Sequence, residues 1–248
     1  MDLRPATPKE WMLVLLVLVA ALGVWESGTG AGAQVIVGVL AAVAVDGAVS
    51  VAKRGKWFWS QSGAISGLIV AMILLQGSLP VVVAAAAVAV LSKHLVKVRG
   101  RHVFNPAAAG IAVGLLAVPA TWWAMGSAAS LALVGIGGAL IAWRMRRLHQ
   151  AAAFFAANYA IAAGYAFVVA RPLLGTLVAF SPLFFGFVML AEPMTAPLAR
   201  KGRIVYAALA AAVAWAFGLA GLAEPFVAAL LLCNVLRLVL DRRMQGIA

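Results

Sequence analysis

The chain has 248 residues, of which 65% are hydrophobic and only 10% charged, with a mean hydropathy of +1.06 and a formal net charge of +12. A soluble domain keeps roughly a quarter of its residues charged, so there are too few polar groups here to cover a water-facing surface. The basic residues form short clusters between apolar runs rather than a stripe, which argues against a nucleic-acid-binding protein.

The remaining solvent is lipid, where backbone groups must be satisfied inside helices or a closed barrel. Barrel strands alternate apolar and polar residues over ~10 positions, whereas runs such as 81–91 and 206–222 are unbroken. The expected fold is therefore all-α and polytopic, with about ten segments. In chain order they cover roughly 9–25, 33–52, 61–78, 79–96, 105–120, 126–143, 151–170, 172–192, 204–221 and 223–240. The first reads as a retained span, because no small-residue cleavage site follows Trp25 and Glu26 opens a Gly-rich stretch. Cys233 is the single cysteine, so no intramolecular disulfide can form.

Charge sets the expected orientation. With the N-terminus inside, even-numbered segments end in the cytoplasm, beside Lys53/Arg54/Lys56, Lys93/Lys97/Arg99/Arg101, Arg144/Arg146/Arg147, Arg200/Lys201/Arg203 and Arg242/Arg243. Arg4 and Lys9 precede the first segment and Arg237 lies near the end of the last. Of 19 Lys and Arg residues only Arg171 would face outward, as the positive-inside rule requires. Eight full spans with two pairs of re-entrant half-helices would keep the same parity. Trp11, Trp25, Trp57, Trp59, Trp122, Trp123 and Trp143 fall at segment ends, where an indole anchors at the headgroup level.

Asn105-Pro106 opens the fifth segment and Glu224-Pro225 the tenth. An odd number of spans per half inverts one half relative to the other, giving approximate repeats 1–122 and 123–248. Inverted repeats with Pro-interrupted helices at matching positions point to a site near the midplane.

An ionisable side chain costs about 2.5–3.5 kcal/mol at the centre of an inserted helix, so it faces protein or a cavity. Asp46 reads either as a helix-pairing or snorkelling acid near Lys53 and Arg54, or as a proton or cation ligand. Glu192 and Glu224 each precede proline, as helix caps or as ligands for a cation or a flavin's polar edge. Lys93-His94 and Arg101-His102 flank a short loop, either a solvated loop or a basic patch for a phosphate or a partner subunit. Ser62, Gly63, Ser66 and Gly67 have the spacing that lets helices approach closely. His149 has no second histidine at helical spacing, so bis-histidine haem ligation is unsupported. No metal-ligand spacing and no Walker or dinucleotide fingerprint is present.

Lys93-His94 with Gly100-Arg101-His102-Val103-Phe104-Asn105-Pro106-Ala107 resembles the signature of the NqrB/RnfD family, a Gly-Lys and glycine-rich turn followed by Phe-Asn-Pro-Ala. Four further stretches agree in order. They are Ser62-Gly63-Ala64-Ile65-Ser66-Gly67-Leu68; Gly126-Ser127 through Trp143-Arg144; Phe184-Phe185-Gly186 with Glu192-Pro193-Met194-Thr195-Ala196-Pro197 and Lys201-Gly202-Arg203; and Leu231-Leu232-Cys233-Asn234 with Asp241-Arg242. The match covers residues 60–248.

The resemblance implies two inverted five-helix repeats, similar to urea transporters, in the membrane subunit of a redox-driven Na+ or H+ pump. It implies a multi-pass protein of the cell (inner) membrane with partner redox subunits. Its Ser-Gly-Ala-Thr motif for covalent FMN is absent here: Thr121 is the only threonine in that interval, in a Pro-Ala-Thr-Trp-Trp context that does not match. No covalent FMN is expected, and a non-covalent flavin, riboflavin or FMN, takes its place. On this reading Ser62, Ser66, Asn105, Pro106, Glu192, Thr195 and Glu224 line a central flavin site. Lys93, His94 and Arg101 form a rim for a phosphate or partner, and Asp46 lies on an ion pathway. The alternatives are a small-solute channel or transporter on the same scaffold, and a structural subunit with no ligand of its own.

Overall fold

The computed structural model describes residues 7–179 and 182–245. Arg4, positions 180 and 181 of the eighth predicted segment, and the side chain of Arg243 lie outside the described residues. The described residues form ten α-helices: α1 (Pro8–Ser27), α2 (Thr29–Arg54), α3 (Gln61–Ile73), α4 (Leu79–Leu95), α5 (Pro106–Gly114), α6 (Ala128–Arg144), α7 (Leu148–Val168), α8 (Leu173–Ala179), α9 (Arg200–Leu219) and α10 (Pro225–Gln245). A hairpin of β1 (Lys97–Val98) and β2 (Arg101–His102) precedes α5, and a π-helical turn, Phe185–Met189, follows α8.

The fold is all-α, and α1, α2, α7 and α9 are each long and apolar enough to cross a membrane. Their outer surface is apolar to match: Phe167 of α7 is 89% exposed, and Ile36 and Leu40 of α2 also stand clear of the core. Broad exposed apolar surface marks contact with a membrane or partner, and together with the helix lengths it identifies a membrane protein.

Within the bundle α2 packs on α3 and α4, and α4 on α5. Later in the chain α7 packs on α9, and α9 on α10. The two sets meet where α1 lies against α6 and α5 against α10. The α2–α3 pair touches backbone to backbone: a Cβ on Gly67 would stand 2.5 Å from the Gly38 carbonyl oxygen. The small-residue spacing around Ser62 and Gly67 therefore serves helix packing.

One end of the bundle gathers most of the charge. Asp46 of α2 meets Ser60 at the start of α3 and Lys93 of α4; Arg101 of β2 meets Asp241 of α10; and the Arg144 guanidinium of α6 lies 5.5 Å from the Trp11 ring of α1. The N-terminal ends of α7 and α9 face the same end, since Gln150 reaches the Leu190 carbonyl and Leu198 N–H reaches Asp241.

Three predicted segments are shorter than expected. The segment 61–78 is helical only to Ile73, because Leu74 turns extended (ψ 154°) and pairs with Ala120. There the N–H groups of Thr121 and Trp122 donate to the Ile73 carbonyl, replacing the bonds a longer helix would make. The segment 105–120 stops at Gly114, as Pro119 cannot continue it. The eighth segment is divided into α8 and the π-helical turn, whose Leu190 N–H reaches back to Phe185.

Two side chains that sequence reading passed over terminate these helices. Gln34 of α2 donates to the carbonyls of Ala71 (2.8 Å) and Leu74 (3.2 Å), and Gln150 of α7 to that of Leu190 (2.8 Å). Both are fully buried. Trp122 and Trp123 also depart from the interfacial role expected of them: they turn inward, donating to Glu224 and to the Ala71 carbonyl. Trp25, Trp57, Trp59 and Trp143 remain exposed.

Candidate functional site

Asp46 lies two turns before the end of α2, and its carboxylate is almost fully buried. Lys93 Nζ stands 2.5 Å from Oδ2 and His94 Nε2 2.5 Å from Oδ1, and the Ser60 hydroxyl donates to Oδ2. Local chemistry builds each piece. Ser60 caps α3 by accepting from Gly63 N–H, and Lys93 and His94 occupy the last turn of α4, where the helix dipole favours cations. Gly63 leaves room, since a Cβ there would lie 3.2 Å from the Asp46 carboxylate. Lys93 also donates to the Ser62 hydroxyl at 3.2 Å. The partners of Asp46 thus come from α4 and the start of α3, whereas Lys53 and Arg54 are exposed.

A second cluster forms beside it. The β1–β2 hairpin turns through Arg99 and Gly100, both with positive φ (52° and 78°), the geometry of a tight two-residue hairpin turn. This presents Arg101 and His102 to the segment 191–199. His102 Nε2 lies 2.8 Å from Glu192 Oε1, and Thr195 Oγ1 donates to Oε2 at 3.1 Å. Arg101 donates to the carbonyls of Pro193 (2.8 Å) and Ala196 (2.7 Å) and stands 3.5 Å from Asp241. Arg237, 1% exposed, donates to the Met194 carbonyl. Two prolines keep this segment from forming a helix, so its carbonyls are free to accept these bonds.

A polar seam continues inward. Asn105 caps α5 by accepting from Ala108 N–H, donates from Nδ2 to the Met189 carbonyl (3.0 Å), and gives its backbone N–H to Asn234 Oδ1 (2.7 Å). Asn234 Nδ2 in turn donates to the Tyr206 hydroxyl. Pro106 is the first residue of α5.

The structure brings Asp46, Ser62, Lys93 and His94 into one cluster and Arg101, Glu192 and Thr195 into its neighbour, with Lys93 within electrostatic reach of Glu192. Ser66 points back to the Ser62 carbonyl. Glu224 stands apart: it opens α10 at the opposite end, beside Trp122, whereas the 191–199 segment lies level with Arg237 and Asp241. At a rise of ~1.5 Å per residue that separation is about 20 Å. The amide of Asn105, both oxygens of Glu192 and the hydroxyl of Ser62 are engaged with protein groups. The seven residues expected to cradle a flavin therefore do not converge on one ring.

Arg237, Asn234 and Tyr206 belong to this network without having been expected site residues, and His102, expected only as part of a basic patch, proves to pair with Glu192. A search for polar residues inside apolar runs that included amides and phenols would have marked Asn234, Tyr206, Gln34 and Gln150. Compared with protein-family models and with curated proteins, the chain matches none.

Proposed function

We propose that this is an ion-translocating subunit of the cell membrane, a multi-pass protein of ten spans in two inverted repeats with its basic end in the cytoplasm. The observation that carries the reading is the buried Asp46–Lys93–His94 cluster with His102–Glu192 beside it. Ionisable groups inside apolar helices are costly, and where they persist they mark ion or proton pathways. A carboxylate held between an ammonium and an imidazole within hydrogen-bond reach can pass a proton to or from the imidazole. The inverted-repeat reading is supported by the matched packing of α2–α4–α5 and α7–α9–α10.

The likeness to NqrB/RnfD sets this ion handling within an electron-transport complex with partner redox subunits and a non-covalent flavin. Since the expected flavin residues do not share one cavity, no electron-transfer step is assigned to them. The absorption spectrum of gently purified protein tests the flavin independently of the ion pathway. For the ion pathway, the chain is reconstituted in proteoliposomes under an imposed membrane potential, with a pH-sensitive dye and radiolabelled sodium as readouts. Asp46→Asn should reduce the flux at least tenfold; flux equal to wild type would overturn the reading.

A solute transporter on the same scaffold is the second reading. It is favoured by the helix breaks at Ile73–Leu74 and Met189–Leu190, since discontinuous helices form substrate sites in many transporters. Cofactor-free protein that accumulates a neutral solute in proteoliposomes would establish it in place of the first.

A further inference from the structure

Outside the two clusters, the basic end carries an open pocket of about 470 Å³ between the α6–α7 turn and the start of α9. It is lined by Trp143, Arg146, Leu148, His149, Arg200 and Arg203, with no acid among them. The nearby acids are committed elsewhere, Glu192 to His102 and Thr195, and Asp241 to Leu198 N–H and Arg101.

Two helices begin here, α7 after Arg147 and α9 after Ala199, and neither has a side-chain cap. Their first N–H groups and the positive ends of their dipoles face this region. Cations are unfavourable at such a position and anions favourable. Yet the first turn of α9 carries Arg200, Lys201 and Arg203, and burial beside these arginines pushes the His149 imidazole down, toward its neutral form. Behind the pocket, burial and the neighbouring Arg203 and Arg101 push the Arg147 guanidinium down to about 10. Among the described residues no acid pairs with Arg146, Arg200 or Arg203.

The donors are also set for a missing acceptor. Arg203 is fixed by an Nη2 bond to the Leu198 carbonyl, while its Nε is buried without a partner. His149 Nε2 is likewise buried and unpartnered. A buried donor with no acceptor is destabilising, and an anion in the pocket would serve the Arg203 Nε and, in its Nε2–H tautomer, His149. At the rim Trp143 is 66% exposed and Leu148 is exposed beside it, which adds an apolar shoulder to the charged floor.

We propose that this pocket binds a phosphate-bearing anion. Its source is either an anionic phospholipid of the adjoining leaflet or a free phosphate compound. Basic pockets between membrane helices recognise anionic headgroups by this chemistry, and an exposed tryptophan at the rim suits a headgroup at the interface. The site does not depend on the ion-handling reading; it requires only that the helices sit in a bilayer.

The test uses the full chain in mild detergent, with melting temperature and native mass spectrometry as readouts. The probes are phosphatidylglycerol, phosphatidylcholine and inorganic phosphate. The variants are Arg146→Gly with Arg200→Gln, and Arg242→Gln as a control at the same end. Arg146 has φ +54°, a conformation that suits glycine, so Arg146→Gly removes a cation without straining the turn. Phosphatidylglycerol should bind and raise the melting temperature of wild type and control, with at least tenfold weaker binding to the double variant. Stabilisation by phosphatidylglycerol alone identifies a lipid site, and equal stabilisation by phosphate identifies a free-phosphate site. If neither anion binds, if phosphatidylcholine binds as well, or if the double variant binds as tightly as wild type, the proposal fails.

Discussion

Gln34 and Gln150 perform the same act at opposite ends of the bundle: each, near the start of its own helix, donates its amide to the carbonyl of a leucine that ends another, Leu74 and Leu190 respectively. The two glutamines are as far apart in the chain as the two leucines. A helix end in an apolar interior needs such a donor, since no water is present to serve its carbonyls. Gln34→Ala and Gln150→Ala should each lower stability by about 1–3 kcal/mol through the orphaned carbonyl. Reversible unfolding in mixed micelles measures this, and losses of similar size at the two positions would support the proposed repeat.

Asp46 and Lys93 make the second expectation quantitative. Removing one member of a buried ion pair leaves an uncompensated charge and costs about 3–5 kcal/mol. Asp46→Ala alone and Lys93→Met alone should each be destabilising on that scale. The double variant should be less destabilised than the sum, because neither charge then remains. A double-mutant cycle with no coupling would show that the pair contributes nothing to the fold.

Glu224 separates the two ends of the bundle. Its contact is with Trp122, far from Asp46 and Glu192. Glu224→Gln should leave ion flux in proteoliposomes within about twofold of wild type while Asp46→Asn lowers it, given the ~20 Å separation derived from the helix rise. Trp122→Phe should cost about 1–3 kcal/mol, by removing the donor from a partly buried carboxyl group. Loss of flux in Glu224→Gln would return Glu224 to a common site with Asp46.

Gly67 tests the close approach of α2 and α3. A methyl group there meets the Gly38 carbonyl, which belongs to backbone and cannot rotate away. Gly67→Ala should therefore destabilise by about 1–3 kcal/mol, although alanine is the better helix former. Thermal stability of the detergent-solubilised variant measures it, and a rise in melting temperature would refute the contact.

Much of this architecture was legible because lipid leaves few choices. The apolar runs located the helices, and the cationic clusters at Lys93, Arg144 and Arg200 fell at one end, as their spacing required. The shortening of α3 and α5 was not legible. Leucine at position 74 is as apolar inside a helix as beyond it, and the break is decided by backbone bonds with positions 119–122, distant in sequence, where Thr121 and Trp122 donate and Pro119 accepts. Asp46 stands out in the sequence as a costly acid, but its nearest cations in the chain, Lys53 and Arg54, are not its partners; Lys93 and His94 lie on α4, which only tertiary packing brings close. Glu192 and Glu224 looked equivalent because both precede proline, yet the alternation of helix direction sends them to opposite ends.

The hydrogen bonds around Asn105 carry a mechanical consequence. They join the first half of the chain to α10 and to the turn at Met189, deep in a region where water cannot replace a broken bond. Sliding α5 against α10 or the Met189 turn would sever these bonds and leave buried polar groups unsatisfied.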